Sequence, residues 1–161
     1  LARASRYTRM RGDAGHASKA LVMTGSSSTS GARNLRVVEH APRVLIVEDE
    51  LLVAWQLESM IRDQHLEVCG LVPDGQGAIE QAADLDVDLI LMDIRLAGRM
   101  DGIEAARKIR ESSKTPIIFI TAHGDQQTRM HIDQIMPGVP VLAKPVSKDR
   151  LRDAIAAVMR V

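Results

Sequence analysis

The chain has 161 residues, 45% hydrophobic and 26% charged, with 21 Lys and Arg balanced by 21 Asp and Glu. That composition describes a soluble globular protein with one ordinary domain and some chain to spare. Aromatic residues are only 2%, so the core must be aliphatic, and the stacking platforms of single-strand nucleic-acid binders are nearly absent. Cys69 is the only cysteine and no stretch approaches a membrane span, which argues against a disulfide framework and fits the reducing cytoplasm.

Charge is unevenly spread. Residues 1–41 carry seven Lys or Arg against Asp13 and Glu39, a local charge of +5 that leaves −5 on the remainder. This segment contains GSSSTSG at 25–31, shows no sustained periodicity and lacks an apolar signal core. It reads as a disordered basic N-terminal extension, with Met10 and Met23 as candidate starts. Without periodicity it supplies no DNA-binding fold, so no direct DNA binding is expected.

The folded part, 42–161, begins with a buried-strand run, Val44 to Val47, that ends in Glu48, Asp49 and Glu50. From Leu51 to His65, Val53, Leu57, Met60 and Ile61 share one helix face, and Trp55 is expected to pack within the helix. Glu67 to Val72 is a second strand that carries Cys69 as an inert core thiol. Asp74 caps a helix through Ala83. Val87 to Met92 is a third strand, closed by Asp93. Ile103, Ala106 and Ile109 mark a helix ending near Ser112.

Pro116 opens a fourth strand, Ile117 to Ile120, closed by Thr121. A polar helix follows from Asp125 to Ile135, in which inward packing accounts for some of Met130, Ile132, Ile135 and Met136. Val139 to Ala143 is a fifth strand that ends at Lys144 and Pro145. Ser147 caps a last helix with Leu151, Ala154, Ile155 and Val158 on one face. Five apolar strands alternating with five helices predict an α/β fold: a three-layer, doubly wound parallel sheet. No G-x-G-x-x-G or G-x-x-x-x-G-K occurs, so dinucleotide and P-loop readings lose their support.

In such a sheet the strand ends share one edge, which brings Glu48, Asp49, Asp93, Thr121 and Lys144 to one shallow pocket. Three clustered carboxylates repel one another unless a cation intervenes. Mg²⁺ suits one or two carboxylates, waters and a phosphate oxygen. A hydroxyl and a lysine beside it can hold a phosphoryl group by charge, and Asp93, ionised without help from a base, is the natural nucleophile.

Five fragments in order, VLIVEDE, LILMD with DG following, FITA and AKP, resemble the receiver domain of two-component response regulators, over residues 42–160. The resemblance implies a flavodoxin-like sheet of order 2-1-3-4-5 and a phosphoacceptor at Asp93 that takes its phosphoryl group from a histidine kinase or phosphotransfer protein. It also implies Mg²⁺ held by Asp49 and Asp93 directly, by Glu48 through water and by the backbone carbonyl of Arg95. Thr121 and Lys144 would contact phosphoryl oxygens, with a cis bond before Pro145. Arg95 and His123 fall at the two variable positions that influence dephosphorylation in this family.

Two departures stand out. The loop DIRLAGRMDG is one residue longer than the family's commonest form, with Ala97 where proline is frequent, and Val141 stands where a switching Tyr or Phe is common. The expected function is a stand-alone receiver in the cytoplasm, a switch rather than a metabolic enzyme, that signals through contacts with a downstream protein and does not insert into membranes. The alternatives are a relay intermediate, a degenerate receiver acting as an interaction module, and an aspartate-nucleophile phosphohydrolase of the haloacid dehalogenase type. The last normally needs an acid where Arg95 stands.

Overall fold

The computed structural model describes residues 19–21, 37–122 and 126–159. The chain divides into two compact units, Leu1–Ala41 and Pro42–Val161. Most of the expected basic extension lies outside the described residues. Within the first unit, Lys19–Leu21 (β1) and Val37–Glu39 (β2) pair antiparallel.

The second unit alternates strand and helix throughout. Its strands are Arg43–Val47 (β3), Glu67–Val72 (β4), Leu89–Asp93 (β5), Ile117–Thr121 (β6) and Val141–Ala143 (β7). Its helices are Leu51–Arg62 (α1), Gly75–Asp84 (α2), Gly102–Ser112 (α3), Gln126–Ile135 (α4) and Lys148–Met159 (α5). All sheet pairings are parallel, and the order is β4-β3-β5-β6-β7, which is 2-1-3-4-5 counted within the unit.

Strand alternation builds two cores, one on each face of the sheet. Leu45, Ile90, Met92, Ile117 and Phe119 pack with Ala78, Ala106, Ile109 and Ile132 of α2, α3 and α4. Val44, Ile46, Leu89, Leu91, Ile118 and Ile120 pack with Leu57, Ile61, Leu151 and Ile155 of α1 and α5. A two-residue side-chain period explains why adjacent strand residues serve opposite layers. Continuous apolar runs such as LILM are what a sheet covered on both faces requires.

Local chemistry sets the helix ends. Asp74 accepts from the Gly77 N–H at 2.8 Å, Asp101 from the Glu104 N–H at 2.8 Å and Ser147 from the Arg150 N–H at 3.3 Å. Helix α1 stops at Arg62 rather than His65, because His65 adopts a left-handed φ of 59° and its N–H turns back to the Arg62 carbonyl. Trp55 does not pack inward as expected. It is 53% exposed, since Ala54 and Leu57 already hold the buried face of α1. Cys69 lies half-buried on β4, and burial pushes its thiol up.

Candidate functional site

Asp93 is the last residue of β5, a strand buried at every position, and its side chain is only 5% exposed. Its neighbours in the sheet end at the same edge: Glu48 follows β3, Thr121 closes β6 and Lys144 follows β7. The buried strands β5 and β6 fix Asp93 and Thr121, while Lys144 reaches in from the edge strand. One carboxylate oxygen from each of Glu48, Asp49 and Asp93 lies within 4.8 Å of the other two.

Lys144 is inserted among them. Its Nζ lies 2.7 Å from Asp93 Oδ2 and 2.7 Å from Glu48 Oε2, with Glu50 Oε1 at 4.0 Å. The bond to Asp93 has hydrogen-bond geometry. The contact with Glu48 Oε2 is close but off the directions of a hydrogen bond, so this buried oxygen has attraction without a directed partner. The Lys144 backbone N–H donates to the Thr121 carbonyl at 2.8 Å, and the Lys144–Pro145 peptide is cis, as the resemblance implies.

Burial, reinforced by the neighbouring Asp93 charge, pushes the Glu48 carboxyl above its ordinary range, and the lysine only partly offsets this. Burial alone would lower the Lys144 ammonium, but its contacts with Asp93 and Glu48 prevail and hold it above its ordinary value. The cluster is short of positive charge even with the lysine in place. Three convergent oxygens and an orphaned Glu48 lone pair fit a hard divalent cation.

The loop after Asp93 is tied down at several points. The Arg95 N–H donates to Asp93 Oδ1 at 3.1 Å, and the Gly102 N–H donates to the Ile94 carbonyl at 2.8 Å. Ala97 bridges to Asp74, and Gly98 takes a φ of 104°, a conformation suited to glycine. The start of the loop is thus held to the end of β5. Beside this loop, a groove of about 810 Å³ opens towards α4 and is lined by Arg95, Asp101, Thr121 and His131.

Every sequence-predicted strand-end group reaches this edge: Glu48, Asp49, Asp93, Thr121 and Lys144. His123 lies outside the described residues. Two participants carried no assigned role in the sequence. A Cβ on Gly102 would stand 1.9 Å from the Asp93 carbonyl oxygen, so only glycine lets α3 start this close to the end of β5. The signal was its place directly after the Asp101 cap. Glu50 turns towards Lys144 and makes no cap hydrogen bond.

A doubly wound parallel sheet with an acidic, lysine-bridged cluster at its carboxyl edge defines an α/β protein of the flavodoxin-like order, with its polar site at the edge where such sheets take ligands. Within that class the match is specific: the response regulator receiver domain pattern covers residues 44–156, and the chain belongs to that family. The transcriptional regulatory protein PdtaR of Mycobacterium tuberculosis is 35% identical over 133 residues, which is 83% of this chain and 61% of that protein. The chain thus spans about three fifths of that relative's length.

Among solved structures, the signal receiver domain of a modulated diguanylate cyclase from Desulfovibrio desulfuricans G20 is 36% identical with a TM-score of 0.68, covering 75% of this chain and 95% of that one. The receiver domain of sensor histidine kinase PA1611 from Pseudomonas aeruginosa PAO1 is 32% identical with a TM-score of 0.67, covering 76% and 100%. That structure holds a magnesium ion in its active-site cleft. Among the described residues of this chain, no helix is long and apolar enough to cross a membrane.

Proposed function

We propose that residues 42–161 form a phosphorylatable receiver, with residues 1–41 an appended basic segment. Asp93 accepts a phosphoryl group from the phosphohistidine of a kinase or phosphotransfer protein. The observation that carries this reading is Lys144 Nζ bridging Asp93 and Glu48 at 2.7 Å each, beside a carboxylate cluster whose charge it does not balance.

Asp93 presents an oxygen for attack on phosphorus. The P–N bond of the donor breaks as the P–O bond forms, and imidazole departs with the electron pair and a proton. Lys144, already held over Asp93, is placed to pair with a phosphoryl oxygen, and Thr121 offers a hydroxyl from the adjoining strand. Glu48, Asp49, Asp93 and the Arg95 carbonyl are the groups assigned to hold Mg²⁺, which when bound neutralises charge building on the phosphoryl oxygens. Hydrolysis of the acyl phosphate resets the site, so the protein is a switch rather than a metabolic catalyst. Its place is the cytoplasm, and its output passes through contacts with another protein.

Incubation with Mg²⁺ and acetyl phosphate followed by intact-mass measurement tests this. One phosphoryl adduct is expected, absent in Asp93→Asn and in metal-free buffer. No adduct at any Mg²⁺ concentration would instead favour an interaction module.

A further inference from the structure

Among the described residues, Glu50 is the one carboxylate paired with Lys144 that the phosphoacceptor reading leaves unused. It is the N-cap of α1, with extended backbone at φ −87° and ψ 104°, yet its side chain makes no cap hydrogen bond. The first turn of α1 holds no acid of its own, so no carboxylate within that turn offsets its exposed N–H groups. The Glu50 backbone is fixed on both sides: its N–H donates to Glu48 Oε1 at 3.2 Å and its carbonyl accepts from Ala54 N–H at 2.9 Å. From that root the side chain, 69% exposed, places Oε1 4.0 Å from Lys144 Nζ.

Glu50 therefore adds a negative charge at the solvent mouth of a cluster that already counts Glu48, Asp49 and Asp93 against one ammonium. A divalent cation still leaves these five charged groups at a formal −1. An approaching donor meets that residual charge before it meets Lys144, and the penalty grows with the donor's own negative charge.

We propose that Glu50 is a charge filter on the phosphoryl donor. It slows loading by small doubly anionic donors and leaves an advantage to donors with a protonated nitrogen leaving group, such as a phosphoimidazole. The filter rests on the receiver reading and deepens it by naming the donor chemistry that the mouth admits. In either reaction Asp93 forms the new P–O bond. Acetate leaves from acetyl phosphate by P–O cleavage, and ammonia leaves from phosphoramidate by P–N cleavage, its nitrogen already protonated.

The test compares wild type with Glu50→Gln, an exposed near-isosteric change, using acetyl phosphate and phosphoramidate at saturating Mg²⁺. Metal affinity is measured separately by calorimetry so that saturation is established for both proteins. Glu50→Gln is expected to speed acetyl phosphate loading about three- to tenfold at low salt and phosphoramidate loading much less, with the gap closing towards about 1 M salt. Equal change with both donors, or a gap that persists at high salt, overturns the filter while the phosphoacceptor stands. Failure of wild type to load from either donor overturns the receiver reading and the filter together.

Discussion

The two halves of the sheet's carboxyl edge are built differently. Strands β5 and β6 are buried at all five positions each, and they carry Asp93 and Thr121. Strand β7 at the sheet edge has three half-buried residues, and of the residues in the adjoining α4 only Ile132 is buried, with Met130 and Ile135 exposed. Chemistry that depends on sub-ångström placement sits where packing leaves no freedom. Strand β7 and α4 sit where a small rearrangement costs little.

The sharpest way to break that contrast is a pair of truncations on paired residues. Phe119 and Val141 face each other in the β6–β7 register, but Phe119 is fully buried and Val141 only partly. Phe119→Ala should cost about 3 to 5 kcal/mol of unfolding free energy and Val141→Ala about 1 kcal/mol or less, read by urea denaturation. Equal costs would show that the edge is as tightly packed as the centre.

Gly102→Ala comes next, because the added methyl must displace the Asp93 carbonyl or the start of α3. A loss of about 2 to 4 kcal/mol is expected, together with a marked fall in phosphoryl loading in the fraction that remains folded. Normal loading at normal stability would show that the acceptor strand tolerates movement.

Glu48 tests the electrostatic side. Its folded-state carboxyl is raised above the ordinary 4.5, so the folded state holds the proton more tightly than the unfolded chain does. That stability is fully present below about pH 4.5 and is lost as pH rises through the raised value. Metal-free Glu48→Gln should therefore melt about 2 to 4 °C higher than wild type near pH 7, with the gap shrinking as pH falls. Mg²⁺ should favour wild type and reverse the order. Calorimetric melts across pH, with and without Mg²⁺, decide it.

The smallest effect is expected at Arg95, whose N–H contacts Asp93 Oδ1 while its side chain is exposed. Arg95→Ala keeps that backbone contact, so loading should persist while phosphoaspartate lifetime changes several-fold, read by decay of the intact-mass adduct. An unchanged lifetime would remove Arg95 from the reset step.

Much of this organisation was legible because it rests on short-range chemistry. Apolar runs ending in a polar residue located β3, β5 and β6, and Asp74 and Ser147 mark helix starts through their own side chains. Other features depend on tertiary placement. Trp55 looked like packing because a lone indole on an amphipathic helix usually is, but the α1 face that reaches the sheet was already filled by Ala54 and Leu57. The left-handed turn at His65 has no glycine to announce it. The role of Gly102 depends on a carbonyl nine residues earlier, and the turn of Glu50 towards Lys144 on a strand nearly a hundred residues away.

A phosphoryl group accepted at Asp93 would sit as an acyl phosphate on the last residue of β5. Borohydride reduction of the acetyl phosphate-treated protein, followed by peptide mass mapping, reads it directly. Reduction of an acyl phosphate converts the acceptor aspartate to homoserine, and homoserine is expected at position 93 alone. Homoserine at Asp49, or at no position in a protein that carries the phosphoryl mass, would contradict it.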